Sequence, residues 1–175
     1  MEIIELIGSL VARLIMLIML PFMGLVSLIF LNLFSWLYVS IIGILFAVQI
    51  IIPKNIRIIT VAALSLGIIT MWISLFASYQ GLPYNYIDFS NPAAAALGGF
   101  PITAFEYPPA ALGSNEPPFD TWGLFYLNLG FWFVVGSSVA IILRKYLNNQ
   151  ILFKLFGVSV IISLYGIGYL FAQFD

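Results

Sequence analysis

Residues 58–78 read IITVAALSLGIITMWISLFAS, a stretch of 21 residues that contains no charged side chain. At 1.5 Å per residue, a helix of this length extends about 32 Å, which matches the hydrocarbon thickness of a bilayer. The stretch follows the polar segment Pro53-Lys54-Asn55-Ile56-Arg57, which interrupts the apolar pattern. We therefore predict a transmembrane helix over residues 58–78.

Three further segments have a similar composition, namely residues 24–51, 121–143 and 153–172. The chain as a whole is 63% hydrophobic and 7% charged, whereas soluble domains are about 45–50% apolar and about 25% charged. So few charges cannot cover a surface that faces water. The sequence therefore predicts an all-α integral membrane protein, with four transmembrane helices in a single membrane domain over residues 1–175.

The first 20 residues allow two interpretations. Read as a helix, residues 2–20 place Glu2, Glu5, Ser9 and Arg13 on one narrow stripe, because they recur at spacings of three and four. We predict an amphipathic helix on the outer membrane surface that ends before Pro21. The alternative is a fifth, short crossing, which would place Arg13 within the membrane at a cost of about 2.5–3.5 kcal/mol.

The distribution of basic residues predicts the orientation. Five of the six Lys and Arg residues lie in the two short connections, at Lys54, Arg57, Arg144, Lys145 and Lys154. Because short basic loops stay on the cytoplasmic side, we expect residues 79–120 and both termini outside. A prokaryotic cytoplasmic membrane is the default location, with an organelle-encoded protein as the alternative. The N-terminal residues lack the basic region of a secretory signal, so we expect them to belong to the mature protein.

Residues 79–120 form the predicted extracytoplasmic cap, which contains seven of the nine prolines. Repeated proline and glycine forbid long regular elements, so we expect an irregular loop with one short helix over residues 92–97. Its eight Phe and Tyr residues are atypical of a disordered loop. We therefore expect an ordered cap against the outer membrane surface or a partner, with a simple linker as the alternative.

Several side chains are candidates for contact with a partner or ligand. Asn32 and Asn128 are amides within predicted spans, where interhelical hydrogen bonds form. The others are charged residues of the N-terminal stripe and aromatic residues of the cap and third span. They are Glu5, Arg13, Trp122, Trp132, Phe100 and Tyr107. Small residues also recur four positions apart, a spacing that favours close helix packing, at Gly43/Ala47, Ala63/Gly67, Ser74/Ser78, Gly136/Ala140 and Ser159/Ser163.

Composition excludes several classes of function. The chain has no cysteine and no histidine, so thiol chemistry and the commonest metal and haem ligands are absent. Apart from Lys154, the second residue of the last predicted span, no charged residue lies within the four predicted spans, which argues against proton-coupled transport. We expect no nucleic-acid partner, because no run of basic residues is present. No cofactor is predicted beyond a bound lipid, quinone or carotenoid.

We therefore expect a non-catalytic accessory or structural subunit of a larger membrane complex, whose partners are membrane lipids and other membrane-protein subunits. One alternative is a small oligomeric channel or uncoupled carrier for a neutral solute. Another is a membrane enzyme that acts on a lipid or quinone. Its acidic groups would be Asp88, Glu106, Glu116 or Asp120.

Overall fold

The computed structural model describes residues 2–29, 33–78, 96–102, 105–107 and 122–172. Within these ranges the chain forms five helices and two short strands. They are Glu2–Ile29 (α1), Leu33–Val48 (α2), Lys54–Ser78 (α3), Ala96–Gly98 (β1), Phe105–Tyr107 (β2), Trp122–Ile142 (α4) and Asn149–Ala172 (α5).

In the described part of the chain, four stretches are long and apolar enough to cross a membrane, namely Leu10–Ile29, Ile56–Ala77, Gly123–Ile142 and Asn149–Tyr169. Ser35–Val48 is a shorter apolar helix. The prediction of a helical, multi-pass membrane protein is therefore confirmed. The predicted bounds hold closely for α4, whereas α3 and α5 each begin four residues earlier than predicted.

The N-terminal third differs most from the prediction. We expected one helix over residues 2–20 and another over 24–51, but α1 continues through Pro21 to Ile29. Ending a helix inside an apolar environment would leave up to four carbonyls without hydrogen bonds, whereas an internal proline removes only one bond. The predicted first span is therefore shared between α1 and α2. A single helix over these 28 residues would extend about 42 Å, which exceeds the hydrocarbon thickness of about 30 Å, and the division into two helices avoids this mismatch.

Side-chain hydrogen bonds stabilise the chain at the starts of α3 and α5. The Asn148 side-chain oxygen accepts a hydrogen bond of 2.9 Å from the Ile151 backbone N–H, the arrangement of a helix N-cap. Arg57 lies in the first turn of α3. Its guanidinium donates hydrogen bonds of 3.0–3.2 Å to the carbonyls of Ile50 and Ile52, which precede the helix. Arg57 thus satisfies carbonyls of the turn that follows α2.

The cap contains a regular element that we did not predict. β1 and β2 pair as antiparallel strands, with Leu97 opposite Glu106. Ala96 and Leu97, which we assigned to a short helix, lie in β1 instead, and residues 91–95 fall outside the described ranges. Gly99 has a φ of 121° at the start of the turn. A side chain strains this backbone conformation, so glycine is required there.

The chain divides into two compact units. Unit 1 comprises Met1–Val48 and Val160–Asp175, and unit 2 comprises Gln49–Ser159. The division falls within α5. In unit 2 a core of small residues joins α3, α4 and the start of α5. It consists of Ala62, Ala63 and Ala140, with Ile59, Leu147, Leu152 and Leu155 packed against them.

Candidate functional site

The pairing of α3 with α4 provides the framework of the candidate site. The two helices run antiparallel, because Ala63 lies beside Gly136 while Gly67 lies beside Phe133. A Cβ atom on Gly136 would lie 2.6 Å from the Ala63 carbonyl oxygen, and one on Gly67 would lie 2.9 Å from the Phe133 Cα. Small residues thus let the two backbones approach closely, as is common between membrane helices.

Aromatic rings fill the space between α3 and α4 toward the end of α3 and the start of α4. Trp72 and Phe125 are both almost fully buried, with ring centroids 5.7 Å apart in an edge-to-face arrangement. Phe125 makes a second edge contact with Tyr126 at 5.3 Å. Such pairs contribute about 0.5–1.5 kcal/mol beyond their buried area, so these rings stabilise the packing of this part of unit 2.

Asn128 is the most unusual polar residue of this helix pair. It lies on α4, one turn after the aromatic cluster, and its side chain is fully buried. Neither its amide nitrogen nor its amide oxygen has a hydrogen-bond partner among the described residues. Because a buried polar group without a partner costs about 1–3 kcal/mol, such a residue calls for an explanation.

The β1–β2 hairpin is attached to α4 through its turn. The indole Nε1 of Trp132 donates a hydrogen bond of 2.7 Å to the carbonyl oxygen of Phe100. The rings of Phe100 and Trp132 lie 6.5 Å apart, while the Phe100 side chain remains 60% exposed. In addition, β1 contacts α3 and β2 contacts α4. The hairpin therefore lies over both helices of the pair.

The position of Trp132 along α4 gives the depth of this attachment. Trp132 is the eleventh of the 21 residues of α4, so it lies about 15 Å from the start of the helix. Side chains on a helix lean toward its N-terminus, which returns the indole by about one turn. The Phe100 carbonyl therefore lies roughly 10 Å along the axis of α4 from its first residue, Trp122.

Unit 1 is joined by hydroxyl groups and glycines. Ser27 of α1 shares a hydrogen bond of 2.6 Å with Ser35 of α2, and Tyr38 of α2 shares one of 2.7 Å with Ser163 of α5. All four hydroxyl-bearing side chains are buried. Hydrogen bonds between helices of this kind contribute about 0.6 kcal/mol each on average in membranes.

Gly24 and Gly168 mark the closest approach of α1 to α5. A Cβ atom on Gly24 would collide with the backbone carbonyl of Leu164, and one on Gly168 would collide with the carbonyl of Leu20. Because backbone atoms occupy both positions, neither contact can be relieved by turning a side chain. This crossing therefore accepts only glycine.

The structure brings together three of the predicted contact residues. Phe100 and Trp132 are in direct contact, and Asn128 precedes Trp132 by one turn on the same face of α4. Trp122 begins α4, Tyr107 ends β2 opposite Ala96, and Glu5 and Arg13 belong to α1. Arg13 is exposed, and Asn32 lies outside the described residues.

Sequence reasoning did not single out Tyr38, Ser27, Ser35 or Ser163 as a network. The sequence contains a weak signal for this network, because each of these four residues places a hydroxyl group within an otherwise apolar helix. Polar groups in such helices usually face a neighbouring helix. The sequence nevertheless offers more than ten such residues, and it does not show which of them meet.

Comparison of the chain with known protein families, characterised proteins and solved structures finds no match.

Proposed function

We propose that the chain is a non-catalytic accessory or structural subunit of a larger membrane protein complex. The observation that supports this function is the position of the hairpin turn. The Phe100 carbonyl is bonded to Trp132 in the middle of α4, yet the Phe100 side chain is 60% exposed. Pro101 beside it is also exposed.

Lipid is an unsuitable neighbour for such a turn. Non-helical backbone at membrane depth is tolerated only where protein buries it or where it lines a water-filled cavity, because hydrocarbon cannot satisfy its N–H and C=O groups. Within the described residues, this chain leaves one side of the turn uncovered. A helix of a partner subunit that packs against Phe100 and Pro101 would supply the missing cover.

The proposed orientation keeps the short basic connections in the cytoplasm and residues 79–120 outside. The continuous α1 favours five crossings, which would place the N-terminus in the cytoplasm. Arg13 then lies near the cytoplasmic end of Leu10–Ile29, on the same side as Lys54 and the other bases. A long basic side chain near a helix end reaches the headgroups, which lowers the cost expected for a buried charge.

The test is site-specific photo-crosslinking in the membrane of the native host. A photoreactive phenylalanine analogue replaces Phe100 in one variant and Val134 in the other. Val134 is a matched control because it is 64% exposed and lies two residues from Trp132 on α4. We expect Phe100 to crosslink to another protein and Val134 to crosslink mainly to lipid. Crosslinking of both positions to lipid alone would contradict the proposal.

A channel or uncoupled carrier is the second candidate, because water could cover the turn in place of protein. The buried amide of Asn128 favours this function, since it places a polar group between apolar helices. A membrane enzyme remains an untested prediction. Glu106 lies in β2, while Asp88, Glu116 and Asp120 fall outside the described residues. Binding of a lipid, quinone or carotenoid likewise stays a prediction.

A further inference from the structure

We propose that one end of unit 2 is a binding surface for an anionic phospholipid. This surface, the basic end, combines exposed basic side chains with exposed aromatic rings. Its residues are Lys54, Arg144, Lys145, Tyr146, Phe153 and Lys154. The phosphate of the lipid would contact the bases, and its acyl chains would contact the rings. The proposal depends neither on a partner subunit nor on the side of the membrane that this end faces.

Packing within unit 2 brings the bases to one end. Because α3 and α4 run antiparallel, the start of α3, which carries the first base, lies beside the end of α4. Leu147 of the α4–α5 connection and Leu152 of α5 both pack against the alanine core that joins these two helices. Arg144 and Lys145 closely precede Leu147, and Lys154 closely follows Leu152. Bases from three parts of the chain therefore lie at the same end of unit 2.

The helices of this region supply no acidic partner for the bases. Residues 54–78 and 122–172, which comprise α3, α4, α5 and the α4–α5 connection, contain five Lys and Arg residues and no Asp or Glu. One of the five, Arg57, donates hydrogen bonds to the carbonyls of Ile50 and Ile52. The other four are exposed side chains. Their counter-charge therefore has to come from outside these helices.

Exposed aromatic rings distinguish lipid from a water-soluble anion as the source of that charge. Tyr146 is 72% exposed and directly follows Lys145, while Phe153 is 77% exposed and directly precedes Lys154. A soluble anion would pair with the bases but would leave the apolar surface of both rings uncovered. An anionic phospholipid carries a phosphate and acyl chains in one molecule, so it matches both kinds of side chain.

The depth of Lys154 also favours a lipid phosphate. Lys154 is the sixth residue of α5, so it lies about 7.5 Å along the axis from Asn149 and within the candidate span Asn149–Tyr169. Side chains on a helix lean toward its N-terminus, and a lysine near a helix end extends its ammonium group to the headgroups. The ammonium group therefore extends toward the connection that carries Arg144 and Lys145. A phosphate at this level accepts charge-assisted hydrogen bonds from such groups.

The test is fluorescence quenching by nitroxide-labelled lipid, with the full chain in phosphatidylcholine vesicles that contain phosphatidylglycerol. A single cysteine carries the fluorophore, because the natural chain has none. Ile142→Cys reports on the basic end, since Ile142 ends α4 and is 77% exposed. Leu127→Cys is the matched control, because Leu127 is 60% exposed on the same helix and lies about 22 Å away along its axis. The nitroxide is placed on either lipid at the same mole fraction.

We expect labelled phosphatidylglycerol to quench more strongly than labelled phosphatidylcholine at position 142 and equally at position 127. Each base removed, by Lys154→Gln or by Arg144→Gln with Lys145→Gln, should lower the relative association constant of phosphatidylglycerol at position 142 by about 5-fold, which corresponds to about 1 kcal/mol. Arg144→Lys with Lys145→Arg keeps both charges and should keep the preference.

Several results would overturn the surface. They are equal quenching by the two lipids at position 142, an equal preference at both reporter positions, and a preference that the glutamine variants leave unchanged. Inorganic phosphate should weaken the preference no more than chloride at the same ionic strength, because both screen charge alike. A greater loss with phosphate would identify a free anion as the occupant and overturn the lipid. Crosslinking at Phe100 has no influence on these results, so this proposal and the proposed function can fail separately.

Discussion

The substitution Gly136→Ala tests whether the α3–α4 contact is as close as the structure shows. The added methyl group would lie 2.6 Å from the Ala63 carbonyl oxygen and 3.0 Å from the Gly67 nitrogen. An unstrained carbon–oxygen contact is about 3.3 Å. The helices must therefore separate by roughly 0.7 Å, and backbone atoms rather than flexible side chains must move.

Overpacking a well-packed interior costs about 1–3 kcal/mol, and we expect the same cost for this separation of the helices. Alanine is favoured over glycine within a helix by about 1 kcal/mol, which partly conceals the strain. Gly130→Ala is the matched control, because it lies on the same helix and a Cβ atom there meets nothing within 4 Å. The propensity term cancels between the two variants. Gly136→Ala should therefore be about 1–3 kcal/mol less stable than Gly130→Ala.

The difference can be measured by reversible unfolding in mixed micelles, with increasing SDS and tryptophan fluorescence as the signal. Trp72 is buried between α3 and α4, so its emission reports the separation of this pair. A difference of 1–3 kcal/mol changes the unfolding equilibrium constant by about 5- to 150-fold. Equal stability of the two variants, within about 0.5 kcal/mol, would refute the reasoning from the close approach of the backbones.

Three further substitutions have expected outcomes in the same titration. Tyr38→Phe should lower the free energy of unfolding by about 0.6 kcal/mol, because the buried bond to Ser163 is lost, and no change would indicate that this bond does not form. Arg57→Lys should cost about 1 kcal/mol, because lysine keeps the charge but cannot reach two carbonyls with a planar fork. Asn128→Leu should stabilise the protein by about 1 kcal/mol, since it removes a buried amide that has no described partner; a loss of stability would reveal a structural hydrogen bond.

Both bounds of α4 and the end of α3 could be predicted closely, because residues 58–78 and 121–143 are charge-free segments of membrane length that charged residues or prolines delimit. The bounds of α1 and α2 could not. Pro21 is a usual signal for the end of a helix, but the environment decides whether the chain stops there. In a lipid-facing helix, the loss of one hydrogen bond at a proline costs less free energy than a helix end whose carbonyls have no partner. The sequence around Pro21 does not show which of these two costs applies.

Residue spacing predicted the packing residues only in part. Ala63 and Gly67 do meet Gly136 at the α3–α4 contact. Gly43 has the same four-residue spacing to Ala47, yet a Cβ atom on it would meet nothing within 4 Å. The most restricted crossing joins Gly24 to Gly168, and these glycines lie on different helices. The spacing of small residues within one helix shows that close packing is feasible there. Where close packing occurs depends on which helices become neighbours.

The depth of the hairpin turn limits what can surround it. Within the described residues, β1 and β2 form a two-stranded sheet, so the N–H and C=O groups on their outer edges have no third strand to bond. Beside lipid, each unsatisfied group would cost several kcal/mol. Protein or water must therefore reach these edges, either as a partner that packs near Phe100 or as solvent. If Phe100 crosslinked only to lipid and no water reached the edges of the hairpin, the turn could not lie within the hydrocarbon. The crossing segment of α4 would then have to shift toward Ile142, with Trp132 at the membrane surface.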